Sequence, residues 1–147
     1  EEDVCKKELP EQAFMTDKNI GKRILLAEDN ELNAEIAIEL LKEEGFLIDW
    51  VKDGQECFDK LEESDDGYYD LILMDIQMPI LNGYDATAKI RQMKNQKKAA
   101  TPIVAMTANS FDEDIERTKK AGMNGFIAKP LDSEEMFTIL KQNIEKN

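Results

Sequence analysis

Three carboxylates, a hydroxyl and an ammonium group each stand directly after a short apolar run in this sequence. Glu28 and Asp29 follow one run, Asp75 a second, Thr107 a third and Lys129 a fourth. Crowded acids repel one another, so a cation stabilises them, and carboxylate oxygens suit a hard ion such as Mg²⁺. A carboxylate can also be the nucleophile that forms an aspartyl phosphate, while a hydroxyl and an ammonium group compensate the phosphoryl charge. The set therefore indicates metal-dependent phosphoryl transfer.

The elements that must position these residues can be read from the same sequence. Continuously apolar segments predict buried strands at 24–27, 71–74, 103–106 and 125–128, and a further strand at 46–51. Helical patterns alternate with the strands; they cover Leu32 to Leu41 with a stop at Gly45, Cys57 to Leu61, Tyr84 to Met93, and two segments opened by capping boxes at 110–113 and 132–135. Five strands and five helices predict an α/β fold with a parallel sheet.

The order of strands and helices gives the five polar residues a common location. Ligands of open parallel sheets bind beyond the carboxyl ends of the strands, so the residues that follow the strands should meet at one edge. Taken alone, Glu28 and Asp29 could begin a helix, Asp75 could belong to a turn and Lys129 could be a solvated charge. Their conjunction at strand ends favours the chemical interpretation.

Composition limits the functions that remain. A length of 147 residues fits one domain, which we place at 22–147, after a polar leader or linker at 1–21. The net charge of −13 argues against nucleic-acid binding, and no apolar run approaches the ~18 residues that a membrane span requires. Cys5 and Cys57 read as free thiols of a reducing compartment. The sequence has no histidine, so any phosphohistidine must come from elsewhere.

The segment from 22 to 146 resembles the response-regulator receiver domain of two-component signalling. Four motifs carry the resemblance; they are Ile-Leu-Leu-Ala-Glu-Asp-Asn at 24–30, Leu-Met-Asp-Ile-Gln-Met-Pro at 73–79, Met-Thr-Ala at 106–108 and Lys-Pro at 129–130. The resemblance implies a flavodoxin-like (βα)5 domain with strand order 2-1-3-4-5 and helices on both faces. It also implies Mg²⁺ as the cofactor, with Mn²⁺ as an alternative ion.

By this resemblance, Asp75 is the phosphoacceptor. Asp29 and Asp75 would be direct metal ligands together with the backbone carbonyl of Gln77, and Glu28 would act through a metal-bound water.

The resemblance also implies a set of residues that respond to the phosphoryl group. Lys129 would contact it, and the peptide before Pro130 is cis in the family. Thr107 would move to hydrogen-bond the phosphate, with Ala108 beside it. Phe126 matches the aromatic side chain that turns inward when Thr107 moves.

Motifs at 29–33, 74–79 and 83–87 look most like receivers attached to hybrid sensor histidine kinases. This similarity implies a histidine kinase or a histidine phosphotransfer domain as phosphoryl donor or acceptor, and kinase activity in a domain outside this chain. It also implies a cytoplasmic location without membrane contact by this domain, although a longer protein could tether it to a membrane sensor. A stand-alone response regulator is the alternative, and homodimerisation stays open.

Three other functions fit the sequence less well. A phosphohydrolase with an aspartyl nucleophile would want a second acid two residues after Asp75, where Gln77 stands. A flavin carrier would want a Ser/Thr/Gly-rich loop after the first strand, and Glu28-Asp29-Asn30 has the opposite electrostatic character. An interaction module independent of phosphorylation would be expected only if Asp75 or Lys129 were missing. The basic segment at 94–98 is interpreted as a solvated loop rather than a docking patch.

Overall fold

The computed structural model describes residues 21–108, 112–129 and 131–145. Their five parallel strands form one sheet of order β2-β1-β3-β4-β5; the strands are β1 Arg23–Ala27, β2 Leu47–Val51, β3 Leu71–Asp75, β4 Ile103–Thr107 and β5 Gly125–Ala128. The parallel α/β architecture and the strand order are confirmed. Residues 1–20 lie outside the described residues, so the domain boundary after residue 21 stays a prediction.

The helices of the described residues are α1 Glu31–Glu43, α2 Gly54–Glu63, α3 Gly83–Arg91, α4 Gln96–Ala99, α5 Asp112–Ala121 and α6 Ser133–Glu145. α4 corrects the prediction of a basic loop at 94–98, because Asn95 caps a single helical turn there. α3 ends at Arg91, two residues before the predicted end. None of these helices has the length and apolar character needed to cross a membrane.

The sheet is covered on both faces because successive strand residues point to opposite sides. Ile24 and Leu26 of β1 belong to a buried layer with residues of α1 and α6. Leu25 and Ala27 belong to the other layer, with residues of α2 and α3. This arrangement explains why the strands read as uninterrupted apolar runs, and it leaves the carboxyl edge of the sheet for polar side chains.

The buried face of α1 differs from the apolar spacing that predicted the helix. Ala34, Ala37 and Leu41 are buried against the sheet, whereas Leu32 is 65% exposed and Ile36 is 45% exposed. The helix carries apolar residues on two faces, and the small side chains of the alanines let the helix backbone approach the sheet closely. The larger side chains of Leu32 and Ile36 consequently remain on the surface.

Helix N-termini gather at the carboxyl edge of the sheet because each of these helices begins soon after a strand ends. Asn30, Asp53 and Asn82 cap α1, α2 and α3, and the side chain of each accepts a hydrogen bond from a first-turn backbone N–H. The side chain of Asp132 accepts from the N–H of Glu134 at the start of α6. The capping box at 110–113 falls partly on residues 110 and 111, which lie outside the described residues. Helix N-termini carry partial positive charge, so this edge suits an anionic ligand.

Candidate functional site

A cavity of about 520 Å³ opens at the carboxyl edge of the sheet. It brings together seven of the eight residues that the sequence assigned to the site; they are Glu28, Asp29, Asp75, Gln77, Thr107, Ala108 and Lys129. The eighth, Phe126, lies elsewhere. The strand order explains why these residues lie together. β1, β3, β4 and β5 are neighbours in the sheet, and their carboxyl ends all lie at the cavity.

Lys129 connects two of the acids across the cavity. Its Nζ lies 3.2 Å from Oδ1 of Asp75 and 3.2 Å from Oε1 of Glu28. The backbone N–H of Lys129 donates to the carbonyl of Thr107 at 2.8 Å, which continues the pairing of β4 with β5 beyond the strand end. The ammonium group is therefore held close to the side chain proposed to react.

The three acids form a cluster that fits a divalent cation. One carboxylate oxygen from each of Glu28, Asp29 and Asp75 lies within 4.8 Å of the others. Glu28 and Asp75 are buried, and Asp29 is exposed at the rim. Hard cations such as Mg²⁺ take few protein oxygens and keep several waters, so a half-open set of carboxylates is the appropriate chemistry.

Glu28 is fixed by its neighbours. The backbone N–H of Asn30 donates to its Oε2 at 3.1 Å, and the indole Nε1 of Trp50 donates to its backbone carbonyl at 2.8 Å. The backbone N–H of Glu28 also donates to the carbonyl of Val51. These contacts hold the first residue after β1 in one position at the floor of the cavity.

The environment of Asp75 disfavours its charged form when no metal is bound. Burial, followed by the negative charge of Glu28, raises the pKa of Asp75 from 3.8 to about 7, although Lys129 acts in the opposite direction. Burial lowers the pKa of Lys129, but the attraction of Asp75 and Glu28 outweighs this effect and the pKa is raised. Adding positive charge beside Asp75 would favour its carboxylate and hence its reactivity as a nucleophile.

The backbone around Asp75 is packed too closely to move freely. A Cβ at Gly83 would lie 2.5 Å from the carbonyl oxygen of Asp75, so only glycine lets α3 begin there. The N–H of Gly83 donates to the carbonyl of Ile76 at 2.8 Å. Between them, Ile80 has φ 69° and is 82% exposed, and the N–H of Leu81 donates to the carbonyl of Pro79. This is a strained γ-turn in the loop after Asp75.

Thr107 and Phe126 occupy adjacent strands. Thr107 ends β4, is buried and lines the cavity. Phe126 pairs in register with Ala105 and packs partly buried against the core layer of α2 and α3. Phe126 thus lies beneath the cavity rather than in its wall, and the motion assigned to it stays a prediction. The peptide before Pro130 lies outside the described residues.

Six further residues line the cavity that were not assigned to the site from sequence; they are Asn30, Asn33, Ile76, Tyr84, Asp114 and Arg117. Asn30 and Asn33 belong to the turn and the first helical turn after β1. Because residues that follow a parallel strand lie at the carboxyl edge of the sheet, both could have been assigned to the site from sequence. Tyr84 lies in the first turn of α3, the helix that follows β3, and could have been assigned for the same reason. Asp114 and Arg117 lie in α5, and finding them requires the tilt of that helix across the sheet, which the sequence does not specify.

Comparison with known proteins gives a consistent result. The model of the response regulator receiver domain family matches residues 24–141. The chain is 36% identical over 86% of its length to hybrid signal transduction histidine kinase I of Dictyostelium discoideum, of which it spans 7%. It is 40% identical over 86% of its length to the osmosensing histidine protein kinase of Saccharomyces cerevisiae, of which it spans 10%. The chain thus corresponds to a small part of these relatives.

A solved structure gives the same comparison in three dimensions. The receiver domain of a sensor histidine kinase from Pseudomonas aeruginosa matches with a TM-score of 0.76 and 38% identity, over 85% of this chain and 98% of that one. That structure is described with a magnesium ion coordinated in its active site cleft.

Proposed function

This chain belongs to the family of response regulator receiver domains, and from that premise we propose that it accepts a phosphoryl group on Asp75 in a Mg²⁺-dependent reaction. The observation that carries the proposal is the set of groups around the Asp75 carboxylate. Lys129 Nζ lies 3.2 Å away, and carboxylate oxygens of Glu28 and Asp29 lie within 4.8 Å. A nucleophile, a cation for the phosphoryl charge and a metal-binding cluster thus share one cavity.

The donor that suits this chemistry is a phosphohistidine on a histidine kinase or a histidine phosphotransfer domain. A carboxylate oxygen of Asp75 forms a bond to phosphorus while the phosphorus–nitrogen bond breaks. The donor imidazole leaves as the neutral ring when its other nitrogen carries a proton. Lys129 compensates the negative charge on the phosphoryl oxygens during the transfer.

The residues that would hold the metal are Asp29 and Asp75 directly, with the backbone carbonyl of Gln77, and Glu28 through a water. When bound, Mg²⁺ supplies positive charge that offsets the crowded carboxylates and the incoming phosphoryl oxygens. Mn²⁺ takes the same oxygen ligands, so it should substitute for Mg²⁺.

The direct test is phosphorylation by acetyl phosphate with and without Mg²⁺, followed by intact-mass spectrometry. Wild type should gain the mass of one phosphoryl group only when Mg²⁺ is present, and the adduct should be lost in base, as expected for an acyl phosphate. Asp75→Ala should gain nothing, whereas Asp59→Asn, which alters an exposed acid of α2, should label like wild type. Labelling of Asp75→Ala at the wild-type level would disprove the assignment.

The signal that follows phosphorylation is proposed to pass through Thr107, Phe126 and α5. The C-terminal end of α5 is fastened, because Arg91 Nε donates to the carbonyl of Gly122 at 2.9 Å. Its Asp114 and Arg117 border the cavity, so a phosphoryl group adds charge beside this part of the helix. Movement of the Thr107 hydroxyl toward that charge would open space for the Phe126 ring, which is a shift between two packings.

Nuclear magnetic resonance can test this switch with beryllofluoride, a phosphate mimic, and Mg²⁺. Amide signals from 107 to 129 should shift more than those from 32 to 41. Thr107→Ala should still accept phosphate on Asp75 but show smaller shifts near Phe126. Shifts confined to α1 would contradict the mechanism.

The surface beside the cavity suggests where the donor binds. Leu32 and Ile36 are exposed at i and i+4 on α1, and Asn30 and Asn33 at the start of this helix line the cavity. An apolar patch next to the reacting carboxylate would let a donor domain dock with its phosphohistidine facing Asp75. Ile36→Glu should therefore slow transfer from a histidine phosphotransfer domain while leaving labelling by acetyl phosphate unchanged. Equal losses with both donors would contradict this docking site.

We infer that the domain serves in a hybrid histidine kinase rather than alone, with kinase activity in another domain. The support is its 36% identity to hybrid signal transduction histidine kinase I of Dictyostelium discoideum, of which it spans 7%. In such a protein the receiver lies in the cytoplasm, and phosphoryl transfer passes between domains.

A further inference from the structure

Arg117 and Tyr84 form a stacked pair on the wall of the phosphoacceptor cavity. The guanidinium carbon Cζ of Arg117 lies 4.2 Å from the centroid of the Tyr84 ring, within the range of a cation–π interaction. Tyr84 lies in the first turn of α3, next to Gly83, and Arg117 lies in α5. Both side chains line the same cavity as Asp75 and Lys129.

The stack also lies where two cavities adjoin. A second cavity of about 580 Å³ is lined by Arg117 and Tyr84 together with Asp29, Gln77 and residues of the loop after Asp75. Arg117 therefore borders both the phosphoacceptor cavity and the cavity beside Asp29 at the rim of the metal cluster. Arg117 is exposed, so its side chain can leave the ring without breaking the core.

The net charge of the cavity lining favours a second positively charged side chain beside the phosphoryl group. The described residues of this lining include four acids and two bases; the acids are Glu28, Asp29, Asp75 and Asp114, and the bases are Lys129 and Arg117. Lys129 already pairs with two acids. A phosphoryl group on Asp75 carries ~1.5 to 2 negative charges near neutral pH, in place of the single charge of the free carboxylate. Even after a divalent cation is counted, the lining stays negative, and Arg117 is the remaining described base.

The chemistry of the side chain fits this position. A guanidinium group presents several N–H donors in one plane and binds phosphate oxygens through paired hydrogen bonds. The aromatic face of Tyr84 holds the group by a weaker and less directional attraction. Arg117 also acts on the Tyr84 hydroxyl. The pKa of Tyr84 is raised, first by burial and also by Asp114, and the positive charge of Arg117 opposes this rise. The guanidinium group is thus close enough to influence neighbouring polar groups.

We propose that Arg117 is a second phosphoryl-binding residue, which rests on Tyr84 in the unmodified protein and turns to the phosphoryl oxygens once Asp75 is modified. The inference rests on the proposed function of Asp75. It would make α5 respond to the phosphoryl group directly through Arg117, in addition to any response passed on by Thr107. A purely structural stack, which only fastens α5 to α3, is the competing explanation.

The two explanations predict different effects of Arg117→Gln on the affinities for Mg²⁺ and for beryllofluoride. In Arg117→Gln the cavity loses a positive charge, so Mg²⁺ alone should bind as tightly as in wild type or more tightly. Beryllofluoride at saturating Mg²⁺ should bind more weakly, by roughly three- to tenfold for one partly exposed charge-assisted contact. Loss of a structural stack would not move the two affinities in opposite directions.

Nuclear magnetic resonance titrations of Mg²⁺, and then of beryllofluoride with Mg²⁺, measure both affinities. Lys119→Gln is the matched control, because Lys119 is an exposed base of the same helix outside the cavity, and it should behave like wild type. Arg117→Lys keeps the charge and should recover part of the beryllofluoride affinity. Tyr84→Leu should bind beryllofluoride at least as tightly as wild type, since the arginine no longer has to leave the ring.

Equal beryllofluoride affinities in wild type, Arg117→Gln and Lys119→Gln would overturn the inference while leaving the function of Asp75 intact. Parallel weakening of Mg²⁺ and beryllofluoride binding in Arg117→Gln would also overturn it, in favour of the structural stack. Failure of the wild-type protein to bind beryllofluoride with Mg²⁺ would instead count against the proposed function itself.

Discussion

Replacing Asp75 with asparagine should stabilise the metal-free protein at alkaline pH. The pKa of Asp75 is raised from 3.8 to about 7, first by burial and then by Glu28. Between these two pH values the folded protein holds a proton that the unfolded chain has released, so stability falls as pH rises through this window. Asparagine has nearly the same shape, carries no charge, and leaves Lys129 paired with Glu28.

The expected difference in the free energy of unfolding follows from the raised pKa of Asp75. The change from 3.8 to about 7 is about 3 pKa units, which corresponds to about 4 kcal/mol at ~1.36 kcal/mol per unit. Water reaches this open cavity and screens the charges, so we expect Asp75→Asn to be more stable by roughly 1–2 kcal/mol above pH 7. The gain should vanish near pH 4, where the folded wild type is protonated at Asp75.

Urea unfolding with a chelator present, at about pH 5 and about pH 8, measures the difference. Added Mg²⁺ should stabilise wild type more than Asp75→Asn and so narrow the gap at the higher pH. Asp59→Asn, an exposed substitution, should show little change at either pH. If Asp75→Asn is less stable than wild type at about pH 8, or gains equally at both pH values, then Asp75 does not carry the electrostatic penalty inferred from its surroundings.

Three further substitutions test separate features. Asp29→Asn should lose most of the rise in melting temperature that Mg²⁺ gives to wild type, because it removes one anionic ligand; an equal rise in both proteins would mean that the metal lies elsewhere. Thr87→Val should stabilise the protein by about 1 kcal/mol in urea unfolding, because its buried hydroxyl has no hydrogen-bond partner among the described residues; a loss of stability would show that the hydroxyl is satisfied. Gly83→Ala should weaken Mg²⁺ binding and acetyl phosphate labelling measured in the folded protein, because its Cβ would lie 2.5 Å from the Asp75 carbonyl; an unaffected site would show that α3 can shift away without moving Asp75.

The residues at the strand ends could be predicted from sequence because two local rules combine there. Continuous apolar runs identify buried parallel strands, and the carboxyl ends of such strands lie at one edge. Glu28, Asp75, Thr107 and Lys129 therefore meet whatever the tilt of the helices. Asp75 and Thr107 proved to be the last residues of their strands rather than the residues after them, which changes their assignment but not their position.

The faces of the helices could not be predicted as well. The apolar spacing that predicted α1 includes Leu32 and Ile36, yet Ala34 and Ala37 are buried against the sheet, because their small side chains let the helix backbone approach closely. Arg117 was missed for a related reason. Which residue of α5 reaches the cavity depends on how that helix crosses the sheet, and this packing is decided by tertiary contacts rather than by local pattern.

Trp50 gives the protein an optical reporter of its own site. It is the single tryptophan of the sequence, and its indole Nε1 donates at 2.8 Å to the carbonyl of Glu28, one of the cluster acids. Indole emission depends on the polarity and charge around the ring, so filling the cation cluster should change the colour or the intensity of that emission. Occupancy of the cavity could then be followed by stopped-flow fluorescence in unlabelled wild-type protein, with no dye or substituted residue near the acids.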